Sequence, residues 1–112
     1  MMPYNPLEKF RISSVISAFS LRQDGNMSLS FGDTAGSLKN RENLLSGLGI
    51  DYRDLITAQQ VHGKNIEYVA QKDQGSGALD YASSVSDTDG FITDQPKVAL
   101  AILTADCLSI FI

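Results

Sequence analysis

Cysteine, histidine and tryptophan are scarce in this chain: its 112 residues include one cysteine, one histidine and no tryptophan. A single cysteine cannot form a disulfide within the chain, and it cannot by itself build a zinc site of several cysteines. The free thiol fits a reducing compartment. Any chemistry of this chain that needs a thiol or an imidazole must use Cys107 or His62.

Basic clusters and long apolar runs are also lacking. Lys and Arg number 9 against 13 Asp and Glu, which gives a net charge of −4. A surface that follows nucleic-acid phosphates needs clustered basic side chains, so no nucleic-acid partner is expected. No apolar run approaches the length of a membrane span, and the polar, proline-containing start does not resemble a secretory signal. We therefore expect a cytoplasmic protein without a membrane partner.

The spacing of apolar residues predicts one α+β domain over residues 1–112. A helix is expected from Ser37, a favourable N-cap residue, to a stop at Gly49, because its leucines lie on one face. The other elements are predicted to be short strands, which alternate or run apolar between turns. These strands are Phe10–Phe19, Met27–Phe31, Leu55–Val61, Ile66–Ala70, Phe91–Thr93, Val98–Leu103 and Leu108–Ile112.

The sequence stops at Ile112, inside the last of these apolar strands. A strand this apolar needs cover on both faces, so we expect the fold to be incomplete at its C-terminus. An uncovered strand edge invites pairing with another chain. The sequence therefore predicts a homo-oligomer formed through the C-terminal strand.

Two short segments carry the reactive side chains. Thr104-Ala105-Asp106-Cys107 lies between two apolar runs, where a strand end can present an acid and a thiol. Gln60-Val61-His62-Gly63 ends another strand, and its glycine lets the chain turn directly after the histidine. Structural roles stay open for each residue. The cysteine fits a small core side chain, the histidine a satisfied structural residue, and the acid a strand end bonded to backbone N–H groups.

From about Ile16 onward the chain resembles the N-terminal half of the YfiH family, also labelled laccase-like or multicopper polyphenol oxidase. The two segments above are the most specific matches. The others, in the same order as in the family, are Phe19–Arg22 with Gly25, Asn26–Leu29 with Gly32-Asp33, Asn40-Arg41, and Asp89-Gly90. The resemblance implies a YfiH-like mixed β-sheet sandwich with flanking helices, comparable to cysteine-hydrolase-like toxins.

The resemblance also implies a zinc-dependent enzyme that acts on purine nucleosides. Members phosphorolyse adenosine, inosine and methylthioadenosine with phosphate, and they deaminate adenosine. They bring two histidines and one cysteine together, so His62 and Cys107 are the expected metal ligands. With Asp106 as a general acid or base, the same two residues are the expected catalytic group.

Substrate binding is assigned by the matches to Arg22, Asn40 and Arg41. Arginine holds phosphate with a planar fork, whereas composition alone favours a solvated helix residue at Arg41. Two other functions fit the residues: a Cys-His hydrolase without metal, and a non-catalytic binding or structural domain. Copper oxidase chemistry is not expected, because one histidine and one cysteine cannot supply several copper centres.

One departure from the family pattern concerns the second histidine. In the family it belongs to a His-Ala-Gly-Trp-Arg-Gly motif, which has no counterpart in these 112 residues. A site with two of its three ligands holds zinc weakly and fixes its geometry poorly. We therefore expect the chain by itself to be nearly inactive.

Overall fold

A computed structural model describes residues 10–12 and 15–104 of the chain. This part contains four strands, β1 Phe10–Ile12, β2 Val15–Ser17, β3 Ile66–Tyr68 and β4 Gly90–Ile92, and one α-helix, α1 Thr34–Gly47. Single turns of 3-10 helix cover Arg22–Asp24, Tyr52–Asp54 and Gln71–Asp73. The mixed helix and strand content agrees with the expected α+β class. The sandwich and its incomplete edge stay predictions, since the C-terminal strand lies outside the described residues.

The strands form two small sheets. β1 and β2 pair antiparallel, with Phe10 opposite Ser17, so the predicted single strand Phe10–Phe19 is in fact two strands. β3 and β4 pair in parallel, with Ile66 opposite Gly90. Because a parallel pair starts at the same edge, the residues that precede β3 and β4 are brought side by side.

A buried segment, Leu55–Ala58, packs against the helix through Leu55, which lies in one buried cluster with Leu45 of α1. On one side the Ile56 N–H donates to the Ala99 carbonyl at 2.9 Å, and the Ala101 N–H donates back to the Ile56 carbonyl at 3.0 Å. On the other side, Ala58 forms a parallel bridge with Val85. The predicted strands Leu55–Val61 and Val98–Leu103 therefore lie side by side, but they meet through a single bridge rather than a full ladder.

The helix begins three residues before the expected Ser37. Asp33 is its N-cap residue, with extended backbone angles of φ −79° and ψ 109°. Ser37 lies within the helix and is 1% exposed; among the described residues its Oγ has no hydrogen-bond partner. At the other end, Gly49 has φ +74° just beyond the last turn, as expected for a glycine stop.

The predicted strand Met27–Phe31 is a series of bends in the structure. The Asn26 side chain accepts from the Ser28 N–H at 3.0 Å and donates to the Phe31 carbonyl at 2.8 Å. The Ser28 Oγ accepts from the Ser30 N–H at 3.2 Å. Short polar side chains thus satisfy backbone groups that a sheet would have used, and the prediction is wrong here for that reason.

The core lies where α1 packs on the chain that follows it. Leu45, Leu55 and Ala78 form a buried cluster. Partly buried side chains pack around them: Leu48, Ile50, Tyr52, Ala99 and Ala101. Within the part of the chain that the structure describes, no helix has the length and apolarity to cross a membrane.

Candidate functional site

Gln60–Gly63 follows directly from the buried segment Leu55–Ala58. The side chains become exposed along this stretch: Gln60 is partly buried, whereas Val61 and His62 are exposed. The core segment is held on both sides by backbone hydrogen bonds. His62 is thus presented at the surface by a rigid element, as a reactive side chain requires.

The side chain of Gln60 is paired with the backbone of Leu103. Its Nε2 donates to the Leu103 carbonyl at 2.7 Å, and its Oε1 accepts from the Leu103 N–H at 2.8 Å. An amide side chain has one acceptor oxygen and one donor nitrogen. It can therefore bond to the N–H and the carbonyl of Leu103 together, as a residue of a neighbouring strand would. The pairing joins the Gln60–Gly63 segment to the residue directly before Thr104–Cys107.

The turn at His62 is built around the carboxylate of Asp89. Its Oδ1 accepts from the N–H groups of Val61, at 3.0 Å, and His62, at 2.9 Å, and its Oδ2 accepts from the Gly63 N–H at 2.8 Å. His62 has φ +57°, a left-handed conformation that costs a residue with a side chain about 1–2 kcal/mol. Three charge-assisted hydrogen bonds offset this cost.

Arg41 is buried rather than solvated. It is 3% exposed, and its guanidinium donates to the carbonyls of Met27 at 2.7 Å, Gly77 at 2.8 Å and Ala78 at 3.1 Å. Burial lowers the pKa of Arg41 from its usual value. The expectation of a solvated helix residue is wrong, because two loops that pass over α1 bring carbonyl groups that need a donor.

Asn40 of α1 lies close to Gly25, which directly follows the turn of 3-10 helix that contains Arg22. The Asn40 Nδ2 donates to the Asn26 carbonyl at 2.9 Å, so Asn40 and Arg41 together hold the loop at Asn26-Met27. Arg22 is exposed in the turn of 3-10 helix. A shallow pocket between that turn and α1 is lined by Gln23, Asp24, Asn40, Asn43, Leu44 and Gly47. His62 is not among these lining residues.

Asp106 and Cys107 lie outside the described residues, so the predicted meeting of His62 with Cys107 stays a prediction. Among residues 10–12 and 15–104, no group of three or more His, Cys, Asp or Glu side chains is arranged to hold a metal ion. Of the expected metal ligands and catalytic residues, His62 is the one whose surroundings are described.

Sequence reasoning missed the parts played by Gln60 and Asp89. Both belong to motifs that were singled out, yet neither was assigned a role. An Asp-Gly pair before one strand and a His-Gly pair before another predict that the aspartate binds the turn at the histidine. The prediction holds only if the two strands are known to be parallel. The pairing of β3 with β4 supplies that condition.

Comparison with known proteins places the chain in a family. A family model described as "Multi-copper polyphenol oxidoreductase laccase" matches residues 14–112. Among curated proteins, "Purine nucleoside phosphorylase YlmD" of Geobacillus stearothermophilus is 38% identical over 87 residues, which cover 77% of this chain and 32% of the relative. The Bacillus subtilis protein of the same name is 35% identical over 77 residues, which cover 69% and 28%.

Solved structures give the same result. The crystal structure of YlmD from Geobacillus stearothermophilus matches with a TM-score of 0.71 and 38% identity, covering 73% of this chain and 31% of that one. YfiH from Bacillus licheniformis matches with a TM-score of 0.65 and 35% identity, covering 67% and 28%. The chain spans about a third of the length of the curated relatives that it matches.

Proposed function

The chain belongs to the YfiH, or laccase-like, family, and from this premise we propose that it forms part of a zinc-dependent purine nucleoside phosphorylase. The proposed substrates are phosphate and adenosine, inosine or methylthioadenosine, with deamination of adenosine as a second activity. Relatives that carry the phosphorylase name support the substrate class. A reducing compartment such as the cytoplasm would keep the Cys107 thiol available.

The pairing of Gln60 with Leu103 is the observation that carries this proposal. His62 is two positions after Gln60, and Cys107 is four positions after Leu103. Four residues of extended chain span at most about 14 Å. The reciprocal amide bonds therefore keep the imidazole and the thiol within a short chain distance of one anchor point, as a shared site requires.

The donor set fits zinc in kind. Thiolate sulfur and imidazole nitrogen are the ligands that zinc prefers, and a catalytic zinc has three protein ligands with one open position. His62 and Cys107 would hold the metal, and a further ligand must come from beyond these two residues. When bound, zinc would act as a Lewis acid toward a substrate oxygen. A multi-copper centre needs more nitrogen and sulfur ligands than one histidine and one cysteine, so we expect zinc, and no blue copper absorbance, in this site.

The other residues take the acid–base and binding steps. In phosphorolysis a phosphate oxygen bonds to C1′ of the ribose while the C1′–N9 bond breaks, and the purine leaves with the electron pair. We assign Asp106 as the general acid that protonates the departing purine. Arg22 is exposed and is assigned to phosphate. Arg41 is assigned an indirect part, since its three hydrogen bonds to carbonyls hold the loops beside Asn40.

A non-catalytic binding domain is the second candidate, and one observation favours it. Ile66, Tyr68 and Ile92 on the β3–β4 sheet are 66%, 53% and 59% exposed. Apolar side chains exposed side by side mark a surface that another protein segment covers. A domain that only binds would need neither His62 nor Cys107.

Zinc content and inosine turnover separate the two candidates. The 112-residue chain is compared with a version extended to the length of the relatives, each also carrying Cys107→Ser or His62→Asn. Asparagine tolerates the left-handed backbone at position 62, so His62→Asn removes the imidazole with little strain. We expect the extended protein to bind zinc and phosphorolyse inosine, the shorter chain to be nearly inactive, and both variants to lose at least about 100-fold in turnover. Full turnover in either variant would contradict the proposed enzyme.

A further inference from the structure

We propose that Asp89 is a positioning residue for His62: it holds the backbone of the histidine in one conformation, so that the imidazole is presented in one direction. The inference rests on the proposed function, in which His62 binds zinc. Asp89 touches neither metal nor substrate in this proposal and acts only through the turn.

Three N–H groups in succession point at one carboxylate. Val61, His62 and Gly63 donate to Asp89 at 3.0, 2.9 and 2.8 Å. A backbone that includes a left-handed residue turns successive N–H groups toward one side and forms a concavity that binds anions. His62 has the required φ of +57°. In this chain the anion is a side chain, so the concavity is filled from within the protein.

Gly63 gives the carboxylate close access to the turn. A Cβ at that position would lie 3.2 Å from the Asp89 Oδ2, which is closer than ordinary van der Waals contact. The carboxylate therefore packs against the bare backbone of Gly63 as well as bonding to it. The His62-Gly63 pair and Asp89 therefore pack closely together.

Asp89 is itself held on both sides. Its N–H donates to the Asn65 carbonyl at 3.0 Å, and the next residue, Gly90, begins β4 opposite Ile66. The preceding residue, Thr88, is fully buried, and its N–H donates to the Gln59 carbonyl at 3.2 Å. A carboxylate fixed in this way uses three of its acceptor sites to hold the turn.

A ligand that is already oriented binds metal more tightly than one that must be ordered on binding. Groups that orient a metal-binding histidine typically change metal affinity by about 10–100-fold when they are removed. Asp89 orients the histidine through its backbone, before any bond to the imidazole is considered. The zinc affinity of His62 should therefore depend on Asp89, although the two side chains need not touch.

The test uses the 112-residue chain with Asp89→Asn and, as the matched control, Asp87→Asn. Both changes remove one carboxylate from the same loop. Asp87 has φ +47°, which asparagine tolerates. In Asp89→Asn the NH₂ group faces at least one N–H of the turn, so at least one hydrogen bond of the three is lost.

The first measurement is amide hydrogen exchange without metal. We expect at least one of the Val61, His62 and Gly63 amides to exchange at least tenfold faster in Asp89→Asn and to be unchanged in Asp87→Asn. The amides of Ile56 and Ala101, which bond within the core, serve as the folding reference and should not change. Unchanged exchange at all three turn amides would overturn the inference.

The second measurement is zinc affinity by calorimetry, made with the same two substitutions in the version extended to the length of the relatives, because that version is the one expected to bind zinc. We expect Asp89→Asn to bind zinc at least tenfold more weakly than the unchanged extended protein and Asp87→Asn to match it. Equal affinity in Asp89→Asn, despite faster exchange, would overturn the positioning role. If the extended protein takes up no zinc, the zinc part of the proposed function fails, and the exchange result still decides whether Asp89 fixes the turn.

Discussion

Gln60 and Leu103 bond to each other in both directions, through a side-chain amide on one side and a backbone peptide on the other. They are far apart in sequence: Gln60 begins one of the two segments that carry the reactive side chains, and Leu103 directly precedes the other. A glutamine that imitates a strand partner extends the contact beyond the last backbone bond between Ala101 and Ile56. The Gln60–Gly63 segment is therefore held beside Leu103 by a side chain rather than by a longer sheet.

Replacing Gln60 with Glu should weaken this junction. The carboxylate can still accept from the Leu103 N–H, but its second oxygen faces the Leu103 carbonyl without a proton to donate. We expect a loss of about 1–3 kcal/mol in the free energy of unfolding above pH 6, measured by urea denaturation. Gln59→Glu is the matched control, since the exposed Gln59 Nε2 makes one longer bond, 3.2 Å, to the Tyr81 carbonyl. Equal effects of the two changes would argue against a special role for Gln60.

Arg41→Met should destabilise the fold by about 3 kcal/mol. Methionine fills a similar volume but leaves the carbonyls of Met27, Gly77 and Ala78 without their buried donor, and each unpaired buried group costs about 1–3 kcal/mol. The comparison is Arg22→Met, which removes an exposed arginine from the 3-10 turn. We expect the urea midpoint of Arg22→Met to stay near that of the unchanged chain. A similarly small effect at position 41 would show that the three bonds are dispensable.

Two glycines should respond to alanine in opposite directions. Gly77 has φ +80°, and a Cβ there would overlap Thr57 Oγ1 and the Cβ of Ser84, so Gly77→Ala should cost at least about 2 kcal/mol. Gly47 ends α1 and has nothing within 4 Å of an added Cβ. Gly47→Ala should therefore stabilise by about 0.5 kcal/mol. Thermal unfolding of both variants gives the signs, and a stabilising Gly77→Ala would contradict the packing described.

The pH dependence of stability should include a contribution from Asp51. Hydrogen bonds from the side chain and then the backbone N–H of Arg53 lower the pKa of Asp51 to about 2. Because the folded-state pKa lies below the ordinary value of about 3.9, the ionised form favours folding. This contribution is complete above about pH 4 and is lost as pH falls toward 2.

Carboxyl NMR titration checks this prediction, with Arg53→Met as the comparison. The pKa of Asp51 should return toward its ordinary value in that variant, and the melting temperature should lose part of its dependence on pH between 4 and 2. An unchanged titration of Asp51 in Arg53→Met would show that the bonds of 3.0 and 2.8 Å to the guanidinium are not its cause.

Local patterns predicted the helix and stretches that overlap the four described strands. They failed at Met27–Phe31, and the predicted strands Leu55–Val61 and Val98–Leu103 form only isolated bridges. The glycine stop near Gly49 depends on local conformation and was predicted. The N-cap at Asp33 was not predicted, because serine and aspartate are equally favourable N-cap residues and Ser37 is nearby. Met27–Phe31 alternates as a strand does, yet Asn26, Ser28 and Ser30 satisfy the local backbone instead.

The site was predictable as a set of motifs but not as a geometry. His62 and its glycine were found from the sequence, whereas the bonds to Asp89 depend on a parallel pairing between distant strands. Arg41 looked solvated, because the carbonyls that it binds come from loops 14 to 37 positions away. Contacts of this range are fixed by the fold and leave no periodic signal near the residue.

The parallel register of β3 and β4 also determines where the chain can change in length. Asp89 precedes β4 by a single peptide bond, so one inserted residue between Asp89 and Gly90 would move the carboxylate by about 3.3 Å. No hydrogen bond to the His62 turn survives such a shift. Residues added to the crossover between Tyr68 and Thr88 leave that register untouched. The junction at Asp89 therefore fixes the length of the chain at that point, as the Arg41 bonds do at Gly77 and Ala78 within the crossover.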